Sequence, residues 1–543
     1  MCQVEEDYKD EALQRTAALS VGQKCMKCKE GCAVVVIRVG DAFCKSCFRD
    51  YFVHKFRAML GKTRLIFPGE KVLLALSGGS TSSSMLCQVQ EGLSREASKK
   101  LRFSPGIVHI DEGAVCGRSA EERQETLMQL EAIFQASGFP YHIVYLEEVF
   151  KLPNSILQSV SSSPTSHGQN YKEAVDDFLQ KQREALIDVE QRLTVEDERN
   201  VTHSEQIEAK FDQLSTSTAV SEENSATILS ETSPSGKWPF TLEQTEAVKE
   251  LFSSVKTLTA KEELLQTLRH HLILHTARNK EYSKIMMGDS CTRLAVKLLT
   301  NISLGRGASL AVDTGFSDNR YGDIMILRPM REYSSKEIAF YNKLFEVPTV
   351  FTPALDTKAS DKASIHRLTE SFVNKLQTDF PSTVSTVYRT SEKLNTACSD
   401  INSGVEQTDK CLLCLCIMDT KVEEASAFQA TLISEKLSCK QSPDQMPVNK
   451  VSEQSCCDNQ AEEKGKCCST NSGACHPPVS NTTTDFLTLL CYSCRLTVKD
   501  MVSLSLLPQY VLSEAERRKR RAQVREQIQE FLLPPEDESD ENY

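Results

Sequence analysis

Cys25, Cys28, Cys44 and Cys47 form two Cys-x-x-Cys pairs with fifteen residues between them. Each pair sets two sulfurs on one side of a tight turn, and four thiolates at this spacing are the donor set of a tetrahedral zinc site. The intervening VVVIRVGDAF reads as strand and turn, returning the chain to the metal. Cys32, a fifth nearby thiol, is read as a bystander. Cys411, Cys414, Cys491 and Cys494 repeat the pattern across a much longer gap, with Cys416 able to substitute for one ligand. A polar loop extruded between two such pairs costs little closure entropy. Cys439, Cys456, Cys457, Cys467, Cys468 and Cys475 lie inside that loop and read as reduced, exposed thiols.

A third constellation is built for phosphate. In KVLLALSGGSTSSSML, residues 71–86, an apolar strand runs through Ser77-Gly78-Gly79 into hydroxyl residues that can open a helix. Glycines let backbone N–H groups approach a pyrophosphate, and a helix N-terminus adds partial positive charge. The GxxxxGK[ST] lysine is missing, so this is not a Walker A loop, nor is it a dinucleotide GxGxxG.

The first zinc module is basic. From Lys24 to Arg64 there are ten Lys/Arg against three acids, with Phe43, Phe48, Tyr51, Phe52 and Phe56 interleaved. In a chain of net charge −12 this concentration suits a phosphate backbone, and Lys45, Arg49, Lys55, Arg57, Lys62 and Arg64 are the candidate nucleic-acid contacts. A solvated charged face is the plainer alternative. The overall negative charge argues against a protein that coats nucleic acid along its whole surface.

These residues need a scaffold. KVLLAL (71–76), GIVHI (106–110), YHIVYLEEV (141–149), SKIMM (283–287) and GDIMILRP (322–329) are short apolar runs that alternate with helical patterns. Such alternation predicts an α/β fold with a parallel sheet. SAEERQETLMQLEAIFQAS (119–137) and CTRLAVKLLTNISLG (291–305) read as helices, and SSKEIAFYNKLF as a helix capped by Ser334. The stretch from Leu242 to Lys280 reads as one long helix or two.

The expected organisation is a zinc module with a helical lead-in over 1–60 and a first α/β part over 61–150. A polar, largely disordered insertion follows over 151–240, with one helix within it, YKEAVDDFLQKQREALIDVEQRL. The second α/β part covers 241–400, and a C-terminal zinc ribbon covers 401–510 with a Cys-rich insertion at 435–485. A basic helix and acidic tail complete 511–543. With 543 residues, 21 cysteines, no apolar leader and no run long enough to span a bilayer, the chain reads as soluble and intracellular, its cysteines serving metal rather than disulfides.

The phosphate loop resembles the SGGxDS loop of the PP-loop ATP pyrophosphatases. Ser77, Gly78, Gly79 and Ser82 match, while Thr81 stands where that family has aspartate. VHIDEG (108–113) ends the next strand in Asp111 and a glycine, as that family does at its nucleotide crevice. MMGDSCTRLAVKLLTNISLGRG is similar to the family's GHNxDDxAExxLxNLxRG segment, with Gly288, Asp289, Leu294, Ala295, Leu298, Leu299 and Asn301 in register after a small shift. RPMREYSSKEI resembles a segment of the PP-loop tRNA thiolases. Together with the double CxxC, these motifs resemble the partner subunit of that thiolase family over the chain apart from its insertions.

The resemblance implies a doubly wound parallel sheet of the PP-loop type flanked by zinc ribbons. It implies a cytoplasmic complex that replaces the 2-oxygen of the wobble uridine of tRNA with sulfur. Sulfur would come from a ubiquitin-like carrier as a thiocarboxylate, and ATP would activate the uridine on the catalytic subunit, tRNA 2-thiolation protein 1.

Two departures bear on catalysis. Active thiolases of this type carry a CxxC before the GHNxDD segment, and no cysteine precedes Gly288 there. Thr81 and Ser290 replace acids that would serve Mg²⁺. Ser77, Gly78, Gly79, Thr81, Ser82, Asp111, Gly288 and Asp289 therefore read as a degenerate nucleotide site with no catalytic residue, and ATP binding in this subunit is in doubt. Three readings stand at this point: a noncatalytic, tRNA-binding subunit of a heterodimeric thiolase; an autonomous PP-loop sulfurtransferase using Cys116 or Cys291; and a zinc-ribbon interaction protein without tRNA.

Overall fold

A computed structural model describes residues 23–37, 41–94, 100–158, 171–181, 183–184, 238–390, 393–394, 410–418 and 481–528. A short antiparallel pair, β1 (Val35–Val36) and β2 (Ala42–Phe43), leads into α1 (Lys45–Thr63). Strand and helix then alternate through β3 (Lys71–Ala75), α2 (Ser80–Leu93), β4 (Ser104–Asp111), α3 (Ala120–Ser137) and β5 (Tyr141–Tyr145). Next come α4 (Leu242–Ser254), α5 (Leu258–Asn279), β6 (Lys284–Met287), α6 (Cys291–Ser303), the single turn α7 (Leu310–Thr314), β7 (Ser317–Asp318), β8 (Met325–Leu327) and α8 (Ser335–Leu344). The remaining helices are α9 (Ile365–Asp379), α10 (Pro381–Thr390), α11 (Asn481–Thr488), α12 (Tyr492–Lys499) and α13 (Gln509–Ile528).

The sheet has six strands in the order β5-β4-β3-β6-β8-β7. The first five are parallel, and β7 runs antiparallel at the edge. The chain steps outward from β3 through β4 to β5, then returns to place β6 on the other side of β3. Loops leaving β3 and β6 at their C-terminal ends therefore diverge, and in parallel α/β sheets ligands bind in the crevice this opens.

Side-chain alternation assigns the two faces. Val72, Leu74, Ile107, Met286 and Leu327 pack with α1, α2, α3 and α8. Leu73, Val108, Ile285 and Ile326 pack with α4, α5, α12 and α13. Strands buried on both faces are near-continuous apolar runs, which is why the sequence exposes them so readily. Helix starts are equally plain: Ser119, Thr241 and Ser334 each close a capping box.

Several elements differ from the sequence expectation. The run 141–149 is strand only to Tyr145, because Glu148 accepts from the Tyr145 backbone and starts a 3₁₀ turn over Leu146–Lys151. The run 322–329 is strand only over Met325–Leu327, and β7 pairs with it unforeseen. The stretch from Leu242 divides in two, Thr257 capping α5. Residues 171–181 are helical as expected. The start of that insertion is corrected, since Leu152, Ile156 and Leu157 are buried in the core; its residues 159–170, 182 and 185–237, the lead-in at 1–20, the loop thiols from Cys439 to Cys475 and the acidic tail lie outside the described residues. Among the described residues no helix is long and apolar enough to cross a membrane.

Candidate functional site

The loop after β3 keeps the glycine geometry. Gly78 has φ +81°, a region that favours glycine, and Gly79 precedes α2 as its N-cap. The hydroxyls of Ser82 and Ser83 donate back to the carbonyls of Gly79 and Gly78 at 3.0 and 3.2 Å. From β6, Gly288 comes so near that a Cβ on it would stand 3.1 Å from Ser82 Cα. Ser77, Gly78, Gly79, Thr81, Ser82, Gly288 and Asp289 are thus gathered where the strand order reverses. A strap crosses them: Val350 N–H donates to Gly78 O at 3.0 Å and Thr352 Oγ1 to Ser77 O at 3.4 Å.

The acids of this crevice are already engaged. Asp111 accepts from Arg123 Nε at 2.7 Å and from Gly113 N–H at 2.9 Å. Arg123 also makes paired bonds to Glu147 at 2.7 and 3.1 Å, and all three side chains are buried. The Arg123 guanidinium lies 5.0 Å from the Phe240 ring and 5.3 Å from Trp238. Gly113 is glycine for the same reason, since a Cβ there would meet Arg123 Cγ at 2.5 Å. Asp289 stands 3.4 Å from Arg328 Nε. Burial would raise the Asp289 carboxyl, but Lys297, Arg328 and Arg293 hold it below the usual carboxylate range. Ser290, where the resemblance calls for a second acid, caps α6 by accepting from Arg293 N–H at 3.2 Å.

The cysteines proposed as sulfur carriers are not poised for that role. Cys291 is packed among Leu294, Ala295, Val373, Val384 and Tyr388, and burial pushes its thiol up to about 11. Burial, with Glu112 close by, pushes Cys116 up to about 12. A thiol held this far above neutral pH carries almost no thiolate.

Two thiol clusters could hold a metal ion. The sulfurs of Cys25, Cys28, Cys44 and Cys47 lie within 4.8 Å of one another. Cys28 and Cys44 are 3.9 Å apart, close to the ~3.8 Å edge of a thiolate tetrahedron with 2.3 Å metal–sulfur bonds. In the second cluster Cys411, Cys414, Cys416 and Cys491 meet the same 4.8 Å limit, so Cys416 takes the place expected for Cys494, which is buried beside them on α12 but outside that limit. Five thiols therefore converge where the spacing predicted a quartet.

The two centres share one plan. In each, the first pair forms a turn closed by a backbone bond, Lys29 N–H to Cys25 O at 2.9 Å and Leu415 N–H to Cys411 O at 3.1 Å, with Lys29 and Leu415 at positive φ. In each, the second pair opens a helix, Cys44 capping α1 and Cys491 capping α12 without a side-chain cap bond. Helix N-termini favour the thiolate. The reading of every pair as a tight turn is corrected accordingly: the second pair of each centre is a helix start. Cys32 is exposed and stays outside the cluster.

The aromatic residues of the first module were expected to interleave with its cations on a nucleic-acid surface. They do not. Phe43, Phe48, Phe52 and Phe56 are buried, and Phe52 stacks on Tyr341 of α8 at 3.9 Å. They dock α1 on the α/β core, each burial stabilising by about 2–3 kcal/mol. The cations divide. Lys55 pairs with Glu337 at 2.9 Å and is part-buried, and Arg57 is partly buried. Lys45, Arg49, Lys62 and Arg64 are exposed, Arg49 lying 3.4 Å from Glu91 and Arg64 over the Tyr171 ring.

Arg123 and Glu147 were missed from sequence. The signal was available: Arg123, Leu127, Leu130 and Phe134 fall on the buried stripe of α3, and an arginine on such a stripe needs a buried acid.

Comparison with known proteins completes the site. The family model for cytoplasmic tRNA 2-thiolation protein 2 matches residues 364–496. The protein of that name from Danio rerio is 54% identical over 98% of this chain and 99% of its own length. The Xenopus tropicalis protein is 52% identical over 99% of this chain and 100% of its own length, and the human protein 49% identical over 100% and 99%. Among solved structures, a U34-tRNA thiolase from Methanococcus maripaludis with its [4Fe-4S] cluster matches at a TM-score of 0.41 and 13% identity, covering 69% of this chain and 88% of that one. On full-length identity, the chain belongs to the cytoplasmic tRNA 2-thiolation protein 2 family.

Proposed function

We propose that this chain is the noncatalytic subunit of a cytoplasmic heterodimer that 2-thiolates the wobble uridine of tRNA. Its family supplies the reaction, and one observation carries the division of labour. The crevice keeps its glycine loop, while Asp111 is locked to Arg123, Asp289 is surrounded by cations and Ser290 serves as a helix cap. A Mg²⁺–ATP complex asks for free carboxylates, and none of these is free to serve it. The fold is read as a doubly wound PP-loop domain kept as a docking and RNA-positioning body. The catalytic partner, tRNA 2-thiolation protein 1, would adenylate the uridine and receive sulfur from the ubiquitin-like carrier.

Both thiol clusters are read as zinc sites. A Cys₄ set at helix N-termini suits this metal, which would hold the knuckles and helices together without redox chemistry. The Cys25, Cys28, Cys44 and Cys47 centre would orient Lys45, Arg49, Lys62 and Arg64 toward the tRNA backbone, while Lys55 and Arg57 support the module from below.

Single-turnover thiolation of a tRNA transcript, with ATP and a sulfide donor, tests the reading. The chain alone should give no 2-thiouridine, and the chain with the catalytic subunit should give product. Product from the chain alone would overturn the noncatalytic assignment. A gel shift with Cys25→Ser/Cys28→Ser should show weakened tRNA binding by the complex; an unchanged shift removes the module from the RNA interface.

A further inference from the structure

The two thiol centres differ in their surroundings. In the first, Cys28 is exposed and Cys44 half-buried, so water can take up the charge of a loaded site. In the second, Cys411, Cys416, Cys491 and Cys494 are buried. Four thiolates around a divalent metal leave a net charge of about −2. Charge taken out of water costs heavily unless an opposite charge stands beside it. Lys410 precedes Cys411, but its ammonium is turned to the Arg320 carbonyl, 3.2 Å away.

A largely buried cation reaches this centre from a remote part of the chain. After α6 the backbone turns at Gly305, where φ is +72° and a Cβ would stand 2.7 Å from Tyr492 Cδ1. Tyr492 follows Cys491 and opens α12. Glycine lets the loop close on that helix start, and the next residue is Arg306. Its backbone is held on both sides: Arg306 N–H donates to Asn301 O at 2.8 Å, and Arg306 O accepts from Ser309 N–H at 3.3 Å. Its side chain lines one cavity with Glu263, His271, Leu413 and Cys414.

Glu263, buried on α5, pairs with Arg306 Nη2, while its other oxygen accepts from His366 Nε2–H at 2.8 Å. Arg306 Nε is buried and has no hydrogen-bond partner among the described residues. One carboxylate does not use all five N–H donors of a guanidinium. Burial would discharge Arg306, but the charges of Glu263, Cys494, Cys414 and Cys491 hold it well above its ordinary value.

We propose that Arg306 is the charge-compensating residue of the second thiol centre: fixed by Gly305 and Glu263 beside the start of α12, its guanidinium offsets the thiolate charge and so secures the bound metal. The proposal rests on the reading of this cluster as a metal site. Arg306 acts through the sulfurs and is a positioning residue.

The test titrates the full-length, zinc-loaded chain with a chromophoric chelator. A Cys411→Ser/Cys414→Ser variant, emptied at the second centre, identifies the equivalent that belongs there. Arg306→Gln should release that equivalent at about ten- to a hundredfold less chelator, with the first centre unchanged. Arg306→Lys keeps the charge and should recover most of the retention. Arg306→Gln/Glu263→Gln removes the whole ion pair, leaves no carboxylate stranded there, and should release metal as Arg306→Gln does. Retention equal to wild type in both glutamine variants overturns the proposal. Equal loss in Arg306→Lys and Arg306→Gln also overturns it, making Arg306 a packing residue. Loss in Arg306→Gln that the double variant restores traces the effect to a stranded Glu263 and overturns it too. Wild type that binds no more metal than Cys411→Ser/Cys414→Ser overturns the metal reading of this cluster and, with it, the role of Arg306.

Discussion

The Oδ2 atom of Asp111 lies 2.7 Å from Nε of Arg123, while the other edge of the same guanidinium holds Glu147. One buried cation thus ties the end of β4, the second turn of α3 and the 3₁₀ turn after β5. Removing it would strand two carboxylates in the interior. Arg123→Met should destabilise the protein by about 3–5 kcal/mol, the range for uncompensated buried charge. Arg123→Lys should recover only part, since one ammonium cannot bridge both acids in the planar, forked geometry. Chemical denaturation of the three proteins checks this. If Arg123→Met unfolds at the wild-type midpoint, the triad contributes nothing and Asp111 becomes available again as a nucleotide-site acid.

That relationship also marks where the sequence stops being readable. The strands from Lys71, Ser104 and Lys284 and the capped helices follow from local pattern, because burial on both faces and N-cap chemistry are written over a few adjacent residues. The first thiol quartet follows from spacing for the same reason, whereas in the second the spacing pointed to Cys494 where Cys416 joins Cys411, Cys414 and Cys491. Asp111 looked like a crevice acid because its partner is twelve residues away on another element, and only packing reveals the pairing. Phe48, Phe52 and Phe56 looked like part of a nucleic-acid surface because basic residues surround them in sequence. In space all three are buried, and Phe52 packs on Tyr333 and Tyr341, nearly three hundred residues on. The strand order that places Gly288 against Ser82 likewise depends on long-range pairing that periodicity does not encode.

The second thiol cluster has one sulfur more than a tetrahedral ion needs, and the shared plan of the two centres selects among them. Cys47 follows the helix-capping Cys44 by three residues, as Cys494 follows Cys491. Cys416 corresponds in the first knuckle to Glu30, five residues after the leading cysteine, which is no ligand. Cys494→Ser should therefore lower bound metal from two equivalents to about one, and Cys416→Ser should retain both. Elemental analysis of protein purified without added chelator measures this directly. Retention by Cys494→Ser with loss by Cys416→Ser would reverse the assignment of the fourth ligand.

The contact that seats the first module on the core has a pH signature. Glu337 Oε1 accepts from Lys55 Nζ at 2.9 Å and from the Tyr51 hydroxyl at 2.8 Å, while its Oε2 accepts from Ser334 N–H at 2.7 Å. Burial would raise the carboxyl, but Lys55 and these hydrogen bonds outweigh it and hold the group below its ordinary value of 4.5. A carboxyl depressed in the folded state stabilises fully above its unfolded value. That contribution is lost as pH falls from there through the folded value, because the unfolded chain takes up the proton first. Wild type should therefore lose stability more steeply than Glu337→Gln below about pH 4.5, and the two curves should run parallel above pH 6. Glu337→Gln should also be less stable at neutral pH, since Lys55 is then left part-buried without its counter-charge. Thermal midpoints across this range, read by near-ultraviolet circular dichroism from the aromatic cluster of Phe52, Tyr333 and Tyr341, compare the slopes. Equal slopes on the acid side would mean that Lys55 and Glu337 do not hold the module, and would return Lys55 to the exposed cations available to RNA.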